Sequence, residues 1–296
     1  MLEDTQSATG CEASHARLRH QLNQLGHRPR KALGQHFLID ANILEKSLAF
    51  AHIKLGETVV EIGPGLGVLT QALIGQGATV YAVEYDATLA NYLQQTLHHN
   101  RQSESRPDSD EQGVFHLRQG DCLDYPLAGL TPKTPFKIVA NLPYAVATPW
   151  LDVVLAGPLP ERMVLMVQKE AAQRYQASSG NKHYGPMSIF LQSAYQITAT
   201  HRVSHRCFYP VPEIDSTLLR LDRRAQPVCF PKRVRQRIRA LFQQRRKQIA
   251  TLCQPFPELR RWLALLATNG IPLNSRPEAI NLAQWQAIIQ FCPKET

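Results

Sequence analysis

Residues 58–73 read TVVEIGPGLGVLTQAL and give the clearest indication of the fold. Thr58 to Ile62 is a β-branched run typical of a buried strand, and it leads directly into three alternating glycines. The apolar residues after Gly67 recur at helical spacing, so the segment predicts a strand, a glycine turn and a helix. Glycines let the backbone turn tightly and let a ligand approach closely, because no Cβ intervenes.

The glycine turn departs from the pattern of dinucleotide-binding proteins. Pro64 separates the first two glycines, and Gly67 comes one position too early for GxGxxG. Glu61 also places a carboxylate at the end of the preceding strand. This charge would repel a pyrophosphate, whereas it would attract a sulfonium amino acid that carries an α-ammonium group. The cofactor is therefore expected to be cationic rather than phosphorylated.

Acidic residues follow the next two predicted strands. Thr79–Glu84 (TVYAVE) is the second strand, and Glu84 lies about 20 residues beyond the first glycine, where nucleoside-binding sheets hold ribose hydroxyls. Capping of the following helix is already served by Asp86, which leaves Glu84 free to bind a sugar. The third strand, residues 114–119, precedes Asp121, which could accept a hydrogen bond from an adenine amine. An ordinary turn aspartate is the alternative.

Residues 136–149 (FKIVANLPYAVATP) predict a fourth strand that ends in Asn141-Leu-Pro-Tyr144. Open α/β sheets build their binding sites at the carboxyl ends of parallel strands. The amide oxygen of Asn141 can accept a hydrogen bond from an amine, and the ring of Tyr144 can stack on a nucleobase. A capped turn with a packed tyrosine is the alternative reading of the same residues.

The whole pattern predicts an α/β protein with a seven-stranded Rossmann-like sheet. Arg162–Gln168 is the fifth strand, flanked by helices from Trp150 and Lys169, and this alternation of strands and helices is typical of a parallel sheet. Two strand-like runs without an intervening helix, Tyr195–Val203 and residues 216–221, then add a hairpin with one antiparallel member. We expect residues 1–28 to be a flexible tail or one loose helix. Residues 29–222 are expected to form the catalytic domain, and 223–296 a smaller helical domain.

The charge of the chain suggests a polyanionic partner. The 296 residues include 33 Lys and Arg against 24 Asp and Glu, for a net charge of +9. Between Arg223 and Pro257, 10 residues are Lys or Arg and none is acidic, so the excess is concentrated in the helical region. Such a cluster would bind phosphates without reading sequence, and a solvated basic face is the alternative.

Several classes of protein are disfavoured. The six cysteines contain no CxxC pair, and His201 and His205, close to Cys207, lie in strand-like sequence, so neither a metal site nor a disulfide framework is expected. No apolar run approaches the ~18 residues of a membrane span, and the N-terminus lacks an apolar signal core. A soluble cytoplasmic protein without a membrane partner is expected.

Four motifs occur in the order NLPYxxxTP (141–149), MVQKE (166–170), FxPxPxxDS (208–216) and QRRK (244–247). Together with the glycine turn and the strand-end acids, they make residues 30–291 resemble the bacterial small-subunit ribosomal RNA adenine dimethyltransferases. The chain departs from that family at an acidic insertion, residues 100–113, and at His36, where asparagine is more usual. Neither departure removes a group that the chemistry requires.

The resemblance implies an S-adenosylmethionine-dependent methyltransferase that dimethylates the exocyclic amines of two adjacent adenosines near the 3′ end of 16S ribosomal RNA. Asn141 and the Leu142 carbonyl would hold the amine hydrogens, and Tyr144 would stack on the extruded base. Phe208 would be a second stacking wall or, alternatively, a core residue. The cofactor-binding residues implied are His36, Leu38, Glu61, Gly63, Gly65, Glu84, Asp121 and Asn141.

The resemblance also implies a role in small-subunit biogenesis, with the ribosomal RNA and the precursor particle as partners of a monomeric enzyme. A resistance methyltransferase that acts on large-subunit RNA is one alternative, which Leu142 and the QRRK and RPE segments disfavour. A non-catalytic RNA-binding assembly or transcription factor is another, although Asn141, Tyr144 and Glu84 are all present. A nucleotide-dependent oxidoreductase is the weakest.

Overall fold

The computed structural model describes residues 15–30, 33–99 and 113–292. Residues 1–14, 31–32, 100–112 of the insertion and 293–296 lie outside the described residues. In chain order the elements are α1 (15–24), β1 (Phe37–Leu38), α2 (Ala41–Ala51), β2 (Thr58–Ile62), α3 (Val68–Gly75), β3 (Thr79–Glu84), α4 (Ala87–His99), β4 (Phe115–Gln119), β5 (Phe136–Asn141), α5 (Ala147–Val154), β6 (Arg162–Gln168), α6 (Lys169–Gln176), α7 (Pro186–Ala194), β7 (Tyr195–Val203), β8 (Phe208–Tyr209), β9 (Ser216–Arg223), α8 (Lys232–Gln243), α9 (Ile249–Cys253), α10 (Arg260–Thr268) and α11 (Leu282–Ala287).

A seven-stranded sheet in the order β4-β3-β2-β5-β6-β9-β7 confirms the predicted α/β fold. The strands from β2 to β6 pair in parallel, whereas β9 runs antiparallel to β6. Ile62 pairs with Val83, and Glu84 pairs with Gln119, so the acids and glycines that follow these strands lie at one edge of the sheet. The strand bounds expected for β2, β3 and β6 agree with the structure residue for residue.

A second, two-stranded sheet was not expected from the sequence. Phe37 pairs with Tyr209 and Leu38 with Phe208 in an antiparallel ribbon of β1 and β8. Asp40 follows this ribbon and caps α2, because its Oδ1 accepts hydrogen bonds from the backbone N–H groups of Asn42 (2.9 Å) and Ile43 (3.1 Å). The ribbon thereby fixes the chain directly after His36.

Helix α1 is the described part of the segment that was expected to be a tail or one loose helix. Its residues Leu18 and Leu22 are buried in a cluster with Leu66 and Leu89. Burial of two leucines contributes on the order of 3–5 kcal/mol, enough to hold a short helix against the domain. Leu66 belongs to the glycine turn, so α1 packs directly on the predicted cofactor loop.

The helical remainder forms a second compact unit, which is described by itself. It includes Glu170–Ile197 and Leu155–Pro158 as well as the segment from Arg223 onward. Its core contains Trp262 and Trp285, whose ring centroids lie 5.1 Å apart and which are both fully buried. Within residues 15–30, 33–99 and 113–292, every helix is too short or too polar to span a bilayer.

Candidate active site

A cavity of about 290 Å³ opens at the carboxyl ends of β2, β3 and β5. It brings together residues from strands that are far apart in the sequence, as expected for an open α/β sheet. Every candidate site residue from the sequence except Phe208 lines it: His36, Leu38, Glu61, Gly63, Gly65, Glu84, Asp121, Asn141, Leu142 and Tyr144.

The glycine turn forms one wall of this cavity. Gly63, Gly65 and Gly67 all have left-handed backbone conformations, with φ of 66°, 61° and 79°. A Cβ on Gly65 would come within 3.1 Å of the Phe37 ring, and one on Gly67 within 2.7 Å of Leu93. Only glycine combines this backbone conformation with this close packing at low cost.

The carboxylate of Glu84 braces the glycine turn from the neighbouring strand. Its Oε2 accepts a hydrogen bond from the backbone N–H of Gly65 (3.1 Å), and its Oε1 accepts one from the backbone N–H of Asp86 (2.9 Å). Burial of this side chain raises its pKa, against the opposing effect of the two N–H donors. Asp86 caps α4 through Thr88 and Leu89, as the sequence predicted.

Glu61 is more deeply buried than expected for a residue beside a loop. It is 2% exposed, and its Oε2 accepts a hydrogen bond from the Thr70 hydroxyl at 2.7 Å. Burial raises the pKa of Glu61 to about 8, and the nearby charge of Glu84 acts in the same direction. The carboxyl group is therefore predominantly neutral at pH 7 when no cation lies beside it.

Asn141 ends β5 with its amide held in one orientation. Its Nδ2 donates a hydrogen bond to the backbone carbonyl oxygen of His36 at 3.2 Å. The other amide atom, Oδ1, is therefore the one that can accept from a ligand. The next residue, Leu142, is 1% exposed, and its N–H donates to the Met166 carbonyl of the adjacent strand at 3.2 Å.

Tyr144 is restrained by contacts with Ser216 and His36. Its hydroxyl lies 2.7 Å from the Ser216 hydroxyl, and burial raises the pKa of the phenol, which stays neutral. The imidazole of His36 lies 5.3 Å from the Tyr144 ring at an interplanar angle of 30°. The His36 Nδ1–H in turn donates to the Pro210 carbonyl oxygen at 2.6 Å.

Phe208 does not join this group. It is fully buried in the hydrophobic core and pairs through its backbone with Leu38, so its ring has no exposed face on which a base could stack. The alternative weighed for it, a core phenylalanine, is what the structure shows. The nearby His205 is engaged by Asp215, and no cluster of three or more metal-ligating side chains occurs among the described residues.

The ribosomal RNA adenine dimethylase family model matches residues 26–294, nearly the whole chain. The chain belongs to this family. A ribosomal RNA small subunit methyltransferase A from Opitutus terrae is 52% identical over 91% of this chain and 95% of its own length. A protein of the same name from Chlamydia abortus is 35% identical over 86% of this chain and 88% of its own.

Two solved structures share the fold. A dimethyladenosine transferase from Plasmodium falciparum has a TM-score of 0.70 and 22% identity, covering 86% of this chain and 97% of its own. The 23S rRNA methyltransferase ErmE has a TM-score of 0.62 and 23% identity over 86% of this chain and 98% of its own. Membership of the dimethylase family identifies the chain as an S-adenosylmethionine-dependent rRNA adenine dimethyltransferase.

The cavity fits the cofactor of the dimethylase family. It offers an uncharged glycine turn that allows close approach, a carboxylate on β3 for ribose hydroxyls, and Asp121 at the end of β4 for an amine. Asp121 already accepts a hydrogen bond from the Leu123 N–H through Oδ1 at 2.8 Å, so its side chain is held in place.

Sequence reasoning did not single out several residues that line the cavity, among them Tyr85, Cys122 and Leu18. Tyr85 is 58% exposed and directly follows Glu84; an aromatic residue next to a strand-end acid was the available signal. Cys122 follows Asp121, and burial raises the pKa of its thiol to about 12, so it contributes a neutral surface. Leu18 reaches the cavity from α1, and no local motif marks it.

Proposed function

We infer that this protein dimethylates the exocyclic amines of two adjacent adenosines near the 3′ end of 16S ribosomal RNA. The observation that carries this proposal is the orientation of Asn141. Its Nδ2 is engaged by the His36 carbonyl, which leaves Oδ1 as an acceptor in a cavity that fits the cofactor. An adenine amine needs such an acceptor to align its nitrogen for methyl transfer.

In the proposed reaction the residues of the chain act by alignment. The cofactor supplies an activated methyl group on a sulfonium centre. Asn141 Oδ1 and the Leu142 carbonyl oxygen accept the two amine hydrogens, so the nitrogen lone pair faces the methyl carbon. With S-adenosylmethionine bound, this nitrogen would take the methyl group, the electron pair of the broken C–S bond would stay on sulfur, and the amine would then release a proton to solvent. Because sulfonium is a good leaving group, a strong general base is not required.

Tyr144 is the proposed stacking surface for the extruded adenine. Its ring is amphipathic, lines the cavity and is held in place at the hydroxyl. Stacking on an aromatic ring contributes about 1–3 kcal/mol per base and compensates part of the cost of unstacking it from the RNA. His36 covers part of one side of the ring, so the opposite side is the one proposed for the base.

Glu61 is proposed to bind the α-ammonium group of the cofactor. Its carboxyl group is buried and has a raised pKa in the free protein, whereas a cation beside it would stabilise the ionised form. Cofactor binding is therefore expected to release a proton from Glu61 at neutral pH. The proposed contact with the ammonium group explains why Glu61 lies beside the glycine turn, a position where phosphate-binding turns avoid a carboxyl group.

The basic helical unit is proposed to bind the RNA backbone. Within it, Arg237 Nε lies 2.9 Å from the Glu258 carboxylate, and Arg233 lies 3.9 Å from the same oxygen. Both arginines lie near Glu258, so the charge on this face of α8 is partly neutralised. Arg246 and Lys247, in the turn after α8, are exposed and carry the charge better suited to phosphates.

Small-subunit RNA is the favoured substrate because the relatives of high identity are named for it. The similarity to ErmE supports only a shared fold and does not favour a large-subunit substrate. We further propose that the enzyme works in the cytoplasm as a monomer on a precursor of the small subunit. The motif segments QRRK and RPE and the net charge of +9 support such a partner.

The test is to map modified adenosines in ribosomal RNA from cells that lack this protein. The proposal predicts that two adjacent dimethyladenosines disappear from the 3′ region of 16S RNA, while 23S RNA is unchanged. Their return with the wild-type gene, but not with Asn141→Ala, would tie the loss to the proposed site. Intact 16S modification in the deletion strain would refute the proposal.

A further inference from the structure

A buried serine holds the hydroxyl of Tyr144. Ser216 is 0% exposed, and its Oγ lies 2.7 Å from the Tyr144 hydroxyl oxygen, with either atom able to donate. The two residues are 72 positions apart, so the contact depends on the tertiary fold. It is the hydroxyl end of the ring, the end farthest from the backbone, that Ser216 restrains.

Ser216 is itself rigidly placed. It begins β9, where it pairs with Gln168 of β6. The preceding residue, Asp215, accepts hydrogen bonds from Arg202 Nη2 (2.8 Å) and from the His205 ring (2.9 Å) and backbone (3.1 Å). The Asp215 carbonyl also accepts from the Lys169 N–H (3.1 Å). Two strands and one loop therefore fix the backbone from which the serine hydroxyl projects.

Other contacts restrict Tyr144 without fixing the position of the far end of its ring. His36 packs on one side at 5.3 Å between centroids, and Gly34 allows the backbone at Tyr144 to approach closely. Packing on one face still permits the ring to tilt and slide. A hydrogen bond at the far end removes that freedom, because it ties the ring to a second strand.

We propose that Ser216 is a positioning residue, which holds the hydroxyl end of the Tyr144 ring where the ring can stack on the target adenine. This inference rests on the proposed function of Tyr144 as the stacking surface. A ring that is ordered before RNA arrives loses less conformational entropy on binding, and the adenine amine is then delivered to Asn141 in a single orientation. Ser216 acts only through Tyr144 and makes no contact with the reacting atoms.

A double-mutant cycle with Tyr144→Phe and Ser216→Ala tests the proposal. Each single variant removes one hydroxyl and keeps the ring. We expect each to lower kcat/KM for immature small subunits by roughly 3- to 10-fold, the range of one hydrogen bond, with the affinity for S-adenosylmethionine unchanged. The double variant should be no worse than either single variant, because both remove the same interaction.

Ser193→Ala is the matched control. Ser193 is also 0% exposed, and its Oγ lacks a hydrogen-bond partner among the described atoms. Its removal should leave kcat/KM unchanged and so exclude a general effect of deleting a buried hydroxyl. If Ser216→Ala fails to fold, Tyr144→Phe alone still tests the proposal. This variant leaves Ser216 in place, removes the same hydrogen bond and must show the same loss of kcat/KM.

The outcomes separate this proposal from the one it rests on. Losses that multiply in the double variant, or wild-type kinetics in Tyr144→Phe, would overturn the role of Ser216. So would a loss of cofactor affinity in Ser216→Ala. By contrast, full activity of Tyr144→Ala, or a wild-type protein that makes no dimethyladenosine in 16S RNA, would refute the proposed function itself.

Discussion

The side-chain nitrogen of Asn141 donates a hydrogen bond to the backbone carbonyl oxygen of His36 at 3.2 Å. This contact selects one of the two flipped orientations of the amide and directs its oxygen to the ligand side. It also explains why His36 can stand where asparagine is more usual in the family: the bond uses the backbone, which any residue provides.

Replacing Asn141 should stop methyl transfer without preventing RNA binding. In Asn141→Ala the acceptor for the adenine amine is lost, and we expect turnover to fall by about 10²-fold or more, as for removal of other aligned catalytic dipoles. Single-turnover methylation of immature small subunits measures the loss. A filter-binding assay of the same variant should give wild-type RNA affinity, and unchanged methylation would contradict the assigned role.

Asn141→Asp separates the two functions of the amide. An aspartate keeps an acceptor oxygen but places a second oxygen against the His36 carbonyl, where neither can donate. Protonation of the carboxyl group restores a donor, so the residual activity relative to wild type should rise as the pH falls. A relative activity that is flat with pH would show that the His36 contact does not matter.

Glu61 should make the protein less stable as the pH rises. Below pH 4.5 its carboxyl group is neutral in both states; between 4.5 and about 8 it ionises in the unfolded chain while the folded state keeps it protonated. The free energy of unfolding therefore falls across this window. Glu61→Gln removes the effect, and we expect it to be more stable than wild type at pH 8 by on the order of a few kcal/mol.

Denaturant unfolding at pH 5, 6.5 and 8 measures this difference. Glu45→Gln, a change at an exposed glutamate of α2, is the control and should follow wild type at all three. Glu61→Gln should also weaken binding of S-adenosylmethionine. If the free energies of unfolding of wild type and Glu61→Gln changed with pH in parallel, the assignment of a neutral buried carboxyl group would be refuted.

Alanine substitutions at Gly34 and Gly56 form a matched pair that tests whether the backbone of Tyr144 is constrained. Both have positive φ, 63° and 80°, so alanine at either should cost about 1–2 kcal/mol of stability. Only at Gly34 would the new Cβ lie 3.3 Å from the Tyr144 backbone nitrogen, whereas at Gly56 nothing lies within 4 Å. Gly34→Ala should therefore lower kcat/KM, and Gly56→Ala should not. Equal kinetics of the two variants would contradict a constrained Tyr144.

The exposed charges after α8 should account for salt-dependent RNA binding. Replacing Arg246 and Lys247 with alanine should weaken binding and reduce the slope of log affinity against log salt by roughly 1 to 2. Arg237→Ala is the contrasting variant, because Arg237 is paired with Glu258 and packs over Phe256 at 4.3 Å. It should lower the melting temperature and leave the slope unchanged. A larger change of slope in Arg237→Ala would contradict this division.

The sequence predicted the sheet and most of the cavity because those features are local. A β-branched run followed by glycines marks β2, and the acids at the end of β3 and just beyond β4 mark the neighbouring strand ends. The parallel register then brings these ends together without further information. Asn141 and Tyr144 were recognisable because they directly follow the apolar run of β5.

Features that depend on distant contacts could not be predicted in this way. The β1–β8 ribbon contains only two residues in each strand, and its partners are about 170 positions apart. Phe208 looked equally suited to a stacking wall and to the core, and only the pairing of β8 with β1 decides between them. Leu18 reaches the cavity because α1 packs on Leu66, a contact that no motif records.

The most direct test of the central claim is methyl transfer by the purified protein to immature small subunits, with label carried on S-adenosylmethionine. Nucleoside analysis of the recovered RNA should show the label in dimethyladenosine at two adjacent positions near the 3′ end of 16S RNA. Asn141→Ala should leave those positions unmodified. Label found only in 23S RNA, or label in 16S RNA that persists with Asn141→Ala, would contradict the account.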